Sequence, residues 1–175
     1  MNNLEQQLSQ ITHFRYIHQH LLTSAQPSVE QLAQIKSYGV DTVINLGLSH
    51  EEQFLADQDQ HCIALGLNYL HIPIDWECPA DEQCLLVLDL INALVQNKII
   101  WIHCPNGYRV SSLMYLYQQF AMEIDLPTAQ EFLHQLWEPN ATWTGLIHAV
   151  TLQLQGRKAT QELEMSLQQV EDTNP

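Results

Sequence analysis

The chain has 175 residues, 46% of them hydrophobic, and its 20 acidic against 6 basic side chains give a formal charge of -14. That balance excludes a basic track for nucleic acid or anionic lipid, and the apolar fraction suffices for one globular domain, expected over residues 1–170 with a short flexible tail at 171–175. "MNNLEQQLSQ" lacks the basic start and apolar run of a signal peptide, and no stretch approaches the roughly 18 apolar residues of a membrane span, so a cytoplasmic location is expected, with Cys62, Cys78, Cys84 and Cys104 as free thiols.

In chain order, "FRYIHQHLLTSA" reads as one or two short strands whose histidines lie at the surface. "QPSVEQLAQIKSYG" reads as a helix capped by Ser28 with Gln31 three residues on, turning Leu32, Ile35 and Tyr38 inward and closing at Gly39. "VDTVINLG" is a buried strand, and Ser49 with Glu52 repeats the cap signature, predicting a helix that ends near Gly66. "NYLHIPI" is a third strand. After "DWECPADEQ", the positions Cys84, Val87, Leu88, Ile91, Leu94 and Val95 follow the helical period and feed the strand "KIIWIHC". Val110, Leu113, Met114, Tyr117, Phe120 and Ala121 then share one helical face. Two more helices are expected, from about Pro127 to Trp137 and from about Thr142, the second broken at Gly156. Strands alternating with helices predict an α/β fold with a mostly parallel central sheet of about 4–5 strands flanked by helices. Sites in such sheets form at the C-terminal strand ends.

Cys104 stands at one of those ends, just ahead of a helix, in "IIWIHCPNGYRVSS". Unpaired N–H groups and the positive helix end favour a thiolate there. The same N–H groups, turned inward by "PNGY" with Gly107 supplying the needed backbone freedom, would make a nest for a tetrahedral oxyanion. Arg109 would add a planar fork for two phosphate oxygens.

"HCPNGYRVSS" resembles the signature loop of the cysteine-dependent protein tyrosine and dual-specificity phosphatases, H-C-x-x-G-x-x-R-[ST]. His103, Cys104, Gly107 and Ser111 fall in that register. Arg109 lies one residue early, Val110 taking the usual Arg position, which gives a C-x4-R loop. One residue at a helix start turns a side chain by about 100 degrees. The shorter loop is similar to that of rhodanese-like sulfurtransferases and to that of a bacterial group of phosphatase-like domains, some fused to beta-lactamase-like hydrolases. "TSAQPSVEQLAQIKSYGVDTVINLG" and "YLHIPIDWECPADEQ" are also similar to that bacterial group, so the resemblance runs from about residue 13 to about residue 137.

The resemblance implies a cysteine-phosphatase-like three-layer fold and hydrolysis of a phosphoric monoester through a phosphocysteine intermediate. Cys104 would be the nucleophile, Asp75 the general acid with Glu77 as a substitute, and Ser111 or Ser112 the donor to the departing thiolate. Residues Pro105, Asn106, Gly107, Tyr108, Arg109 and Val110 would cradle the phosphate, and His103 would hold the loop by bonding backbone. Tyr108, Trp76 and Trp137 are candidates to line the pocket. Neither metal nor cofactor is implied. The partner would be a phosphorylated protein or a small phosphomonoester, with no nucleic acid and no membrane; oligomeric state is not legible. Two other readings stand beside this one: a sulfurtransferase carrying a persulfide on Cys104, and a module that binds phosphate or a phosphoprotein without turnover.

Overall fold

Successive side chains of a strand point to opposite faces, and in this chain both faces of the central strands are apolar. A computed structural model, which describes residues 3–172, has strands β1 (Arg15–His18), β2 (Leu21–Ser24), β3 (Thr42–Asn45), β4 (Asn68–His71) and β5 (Ile100–His103). They form a five-stranded sheet in the order β1-β2-β5-β3-β4. β1 is antiparallel to β2, and the other neighbours run parallel. Leu21, Ile44, Ile100 and Ile102 turn to one face and Leu22, Val43 and Trp101 to the other, so β5 is buried throughout.

Helices cover both faces, as such a sheet requires. One layer contains α1 (Asn3–Leu8), α2 (Val29–Tyr38) and α3 (Gln58–Ala64), the other α4 (Asp81–Leu94), α5 (Tyr108–Phe120) and α7 (Ala141–Asp172), with α6 (Leu126–His134) packed on α5. The α/β expectation and the sheet size are met. So is the cap at Ser28: its hydroxyl accepts from the Gln31 N–H, the Gln31 side chain accepts from the Ser28 N–H, and Gly39 ends the helix at φ 106°.

Two expectations fail for identifiable reasons. The Ser49–Glu52 signature starts no helix; the chain runs in turns until α3 begins at Gln58, and Glu51 within it bonds Leu48 and Arg109. Gly156 does not break α7, which is continuous and fully solvated there, where a helical Gly costs only about 1 kcal/mol. The expected tail at 171–175 begins as helix, since α7 runs to Asp172, and its remainder lies outside the described residues. Among the described residues, no helix is long and apolar enough to cross a membrane.

The parallel register aligns the strand ends. Ser24 of β2, His103 of β5, Asn45 of β3 and His71 of β4 form one polar row across the C-terminal edge, immediately beyond the apolar core. Ile102 anchors the strand that carries this edge, at 0% exposure. Ile102→Ala is therefore expected to lower the unfolding free energy by about 2–5 kcal/mol, read as a shift of the urea midpoint at unchanged slope.

Candidate active site

β5 stops at His103, and the next four residues fold tightly before α5 starts at Tyr108. Gly107 makes this possible: as the residue ahead of α5 it takes φ 79°, and a Cβ there would stand 3.3 Å from the Cβ of His13. The first N–H groups of a helix have no partner within it. Here the sulfur of Cys104 faces the N–H groups of Val110, Arg109 and Gly107. The loop carbonyls are held outward. The Pro105 carbonyl accepts from the Gln26 N–H at 3.2 Å, and the Asn106 carbonyl accepts from Nδ1 of His13 at 2.8 Å. Pro105 itself has no N–H, so it contributes shape to the cradle and no donor. Gly47 lets β3 approach from the other side, where a Cβ would meet the Pro105 ring at 2.9 Å.

Arg109 and Cys104 line one pocket of 230 Å³ with Glu51, Trp76, Asn106 and Tyr108. Val110, at the position of the longer loop's Arg, is 1% exposed and packs in the core with Leu113 and Met114. The early Arg therefore reaches the pocket, and an Arg one residue later would enter the core. The Arg109 side chain is only 3% exposed, and its Nη2 donates to Oε1 of Glu51 at 2.8 Å. The other Glu51 oxygen accepts from the Leu48 N–H at 2.6 Å, which fixes the carboxylate from both sides. Arg109 Nε is buried and has no partner among the described residues. Its guanidinium carbon lies 5.4 Å from the Trp76 ring centre.

The thiol differs from expectation. Burial pushes the Cys104 pKa up, and this outweighs the downward pull of the Val110 N–H, the Arg109 charge and the remaining loop N–H groups. Cys104 is 1% exposed, so its sulfur meets solvent only through the mouth of the pocket. Asp75 moves the other way. The N–H groups of Cys78 and Glu77 both bond its Oδ1, and with weaker help from Arg109 and His50 they hold its carboxyl below the ordinary range. Asp75 is exposed and within electrostatic reach of Arg109, whereas Glu77 lines a separate groove with Thr142 and Gly145.

Ser111 spends its hydroxyl on neighbours of the loop. Its hydroxyl and that of Ser112 both donate to the Tyr108 carbonyl, at 3.0 and 3.1 Å, and the Ser111 oxygen accepts from the Trp137 indole at 3.1 Å. His103 bonds a side chain, not backbone as expected: its Nε2 lies 2.7 Å from the amide nitrogen of Gln58, and its buried Nδ1 has no partner among the described residues. Burial holds its pKa down to about 3.

An aromatic wall stands beside the loop. Tyr108 stacks on Trp137 at 5.1 Å, and Trp76 lies 5.3 Å from Trp137 and 5.2 Å from Trp143. Trp76 and Tyr108 reach the pocket, while Trp137 backs Tyr108. The Trp143 indole donates to the Trp76 carbonyl at 3.0 Å, tying the Asp75 segment to α7.

Residues 18–115 match the family model described as the dual-specificity and protein tyrosine phosphatase-type (DSP-PTPase) phosphatase of polymorphic toxin systems. The chain belongs to this phosphatase family. It is similar to a candidate DUF442 phosphatase from Shewanella putrefaciens at 26% identity and a TM-score of 0.75, covering 85% of this chain and 97% of that one. It shares its fold with Tk-PTP in its active form, at 21% identity and TM-score 0.66 over 79% of this chain and 95% of that one. The same holds for Pseudomonas aeruginosa TpbA in complex with phosphotyrosine, at 17% identity and TM-score 0.60 over 79% and 90%. A search of curated proteins finds no match.

Glu51, Gln58 and His13 are the site residues that the sequence reading missed. Glu51 sits in a segment read as helix, and its pairing with Arg109 spans 58 residues. Glu51→Ala leaves a buried guanidinium without its carboxylate, so kcat/KM on an aryl phosphate is expected to fall roughly ten- to a hundredfold. Steady-state kinetics on the variant, with far-ultraviolet circular dichroism as a fold control, measures this.

Proposed function

We propose that this phosphatase hydrolyses phosphate monoesters through a phosphocysteine formed on Cys104. The observation that carries this reading is the sulfur of Cys104 lying among the N–H groups of Gly107, Arg109 and Val110, in a pocket whose one cation is Arg109. In the first step the thiol gives its proton to solvent water at the mouth of the pocket, sulfur attacks phosphorus, and the bond to the leaving oxygen breaks as Asp75 delivers a proton to it. The loop N–H groups of residues 106–110 and the free edge of the Arg109 guanidinium stabilise the equatorial oxygens. In the second step the Asp75 carboxylate takes a proton from water, the water oxygen bonds phosphorus, and the thiolate departs with both electrons of the S–P bond. The loop N–H groups receive that thiolate, since Ser111 is engaged with Tyr108 and Trp137.

The substrate class is a phosphorylated protein or a small phosphomonoester, captured locally because the surface charge repels anions at a distance. Trp76 and Tyr108 flank the pocket with aromatic faces, which favours a flat aryl phosphate such as phosphotyrosine over an alkyl one. The phosphotyrosine bound by TpbA supports the same preference. The chain's relatives named above are phosphatases, and none is a sulfurtransferase.

Binding without turnover is the second reading, favoured by one observation: Cys104 is buried, which pushes its pKa up and disfavours the thiolate. The two part cleanly. Hydrolysis of p-nitrophenyl phosphate by the wild type, with none by Cys104→Ser, supports catalysis. Thermal protection by phosphate with no turnover supports the binding module.

The opposite shifts of the two groups set the pH dependence. Attack needs the thiolate, which a raised pKa makes scarce below the alkaline range, so kcat/KM for an ester with a good leaving group should rise with pH from 5 through 9. An alkyl phosphate also needs protonated Asp75, whose depressed pKa makes that form scarce at neutral pH, so its profile should be a low plateau that falls again at high pH. Parallel pH profiles for the two esters check this. Asp75→Asn should slow the alkyl ester about a hundredfold and the nitrophenyl ester less than about threefold. Equal losses for both would remove Asp75 from the role of acid.

A further inference from the structure

The amide network behind the site has a proton order that can be worked out from two backbone groups. The Gly47 N–H is an obligate donor, and it bonds one atom of the Asn45 amide at 2.8 Å; that atom is therefore oxygen. The Asn45 nitrogen then donates, at 3.0 Å to the Tyr69 hydroxyl and at 3.2 Å to Gln58. The Pro27 carbonyl is an obligate acceptor, 3.1 Å from one atom of the Gln26 amide, which is therefore nitrogen. That nitrogen also donates to Gln58, at 3.1 Å. Two independent donors thus converge on the same Gln58 atom, and it must be Oε1.

The remaining Gln58 atom is the NH2 group, and it lies 2.7 Å from Nε2 of His103. A primary amide nitrogen cannot accept. Nε2 of His103 must therefore be the acceptor, and the ring proton must sit on Nδ1. Gln58 is 1% exposed and His103 0%, so both lie out of bulk solvent. Protonating Nε2 would set two donors head to head inside the core. Burial is the main force against protonating the ring, and the nearby His71 adds a smaller electrostatic one.

We propose that Gln58 is a positioning residue for the phosphate loop: it locks His103 as a neutral imidazole protonated at Nδ1, and so holds the strand end from which Cys104 emerges. Gln58 is the first residue of α3 and touches neither Cys104 nor the pocket. Through Asn45 and Gly47 the same network reaches the segment that carries Glu51 to Arg109, so one chain of amides sets both walls of the site. A charged His103 would break this chain, which makes its neutrality a structural requirement.

The test is the 15N–1H imidazole spectrum of the full-length protein, with His103 assigned by its loss in His103→Gln. The expected result is a ring protonated at Nδ1 and unchanged from pH 8 to pH 5. A wild-type ring protonated at Nε2, or one titrating at the ordinary value of about 6.5, overturns the proposal, and this needs no variant to fold. In Gln58→Glu an ionised carboxylate can only accept, so a proton appearing on Nε2 supports the assignment. Gln58→Leu should lower kcat/KM on p-nitrophenyl phosphate at least tenfold, and a loss under twofold would reduce Gln58 to a packing role. The kinetic arm rests on the phosphatase reading, whereas the spectrum does not, so a protein without turnover still decides the tautomer.

Discussion

A guanidinium with 3% of its side chain exposed must be matched by a carboxylate, because an unpaired charge in that environment is far more costly than any surface contact can offset. Glu51 supplies the match at 2.8 Å, and much of the site's geometry follows from it. Because β3 neighbours β5 in the sheet, the chain leaving β3 passes beside the loop leaving β5. The segment after Leu46 can reach Arg109 only as an irregular run of turns, so the helix that Ser49 and Glu52 would start is displaced to Gln58. Local capping preference, about 1 kcal/mol, yields to a buried ion pair.

What was legible in the sequence was what depends on near neighbours. The strand–loop–helix around Cys104, the Ser28 cap and the alternating pattern are written within a few residues of themselves, and each is found in the structure. The displaced Arg was legible as a displacement only. Its outcome depended on where a 100-degree turn at the helix start pointed each side chain, and Val110 packing into the core left Arg109 facing the pocket. Glu51, Gln58 and His13 could not be read, since each acts across 45 residues or more of chain on a partner brought near by sheet order. His13 carries one local trace, a φ of 53° rare for a non-glycine residue, visible only in coordinates.

The thiol shows two correct principles opposing each other. A helix start and an Arg do favour the thiolate, as the sequence implies, but the same packing that assembles those donors strips solvent from the sulfur. The net direction depends on how closely the walls shut, and β5, Pro105 and the Trp76 segment shut them tightly.

The charge of -14 sharpens what the site must do. Salt screens the repulsion of a phosphate dianion beyond about 8 Å, so the acidic surface opposes it only over the last stretch of its approach. At the pocket the formal charge of Arg109 is already balanced by Glu51, so attraction comes from the oriented N–H dipoles at the start of α5. Pairing with Glu51 does not exhaust the guanidinium, however. Nη2 alone faces the carboxylate, while Nε stays buried and unpartnered among the described residues, a donor whose burial is costly until an acceptor meets it. Glu51 therefore orients Arg109 without consuming it. Arg–carboxylate pairs are frequently bidentate, whereas this contact is one-armed and leaves Nε unengaged by Glu51.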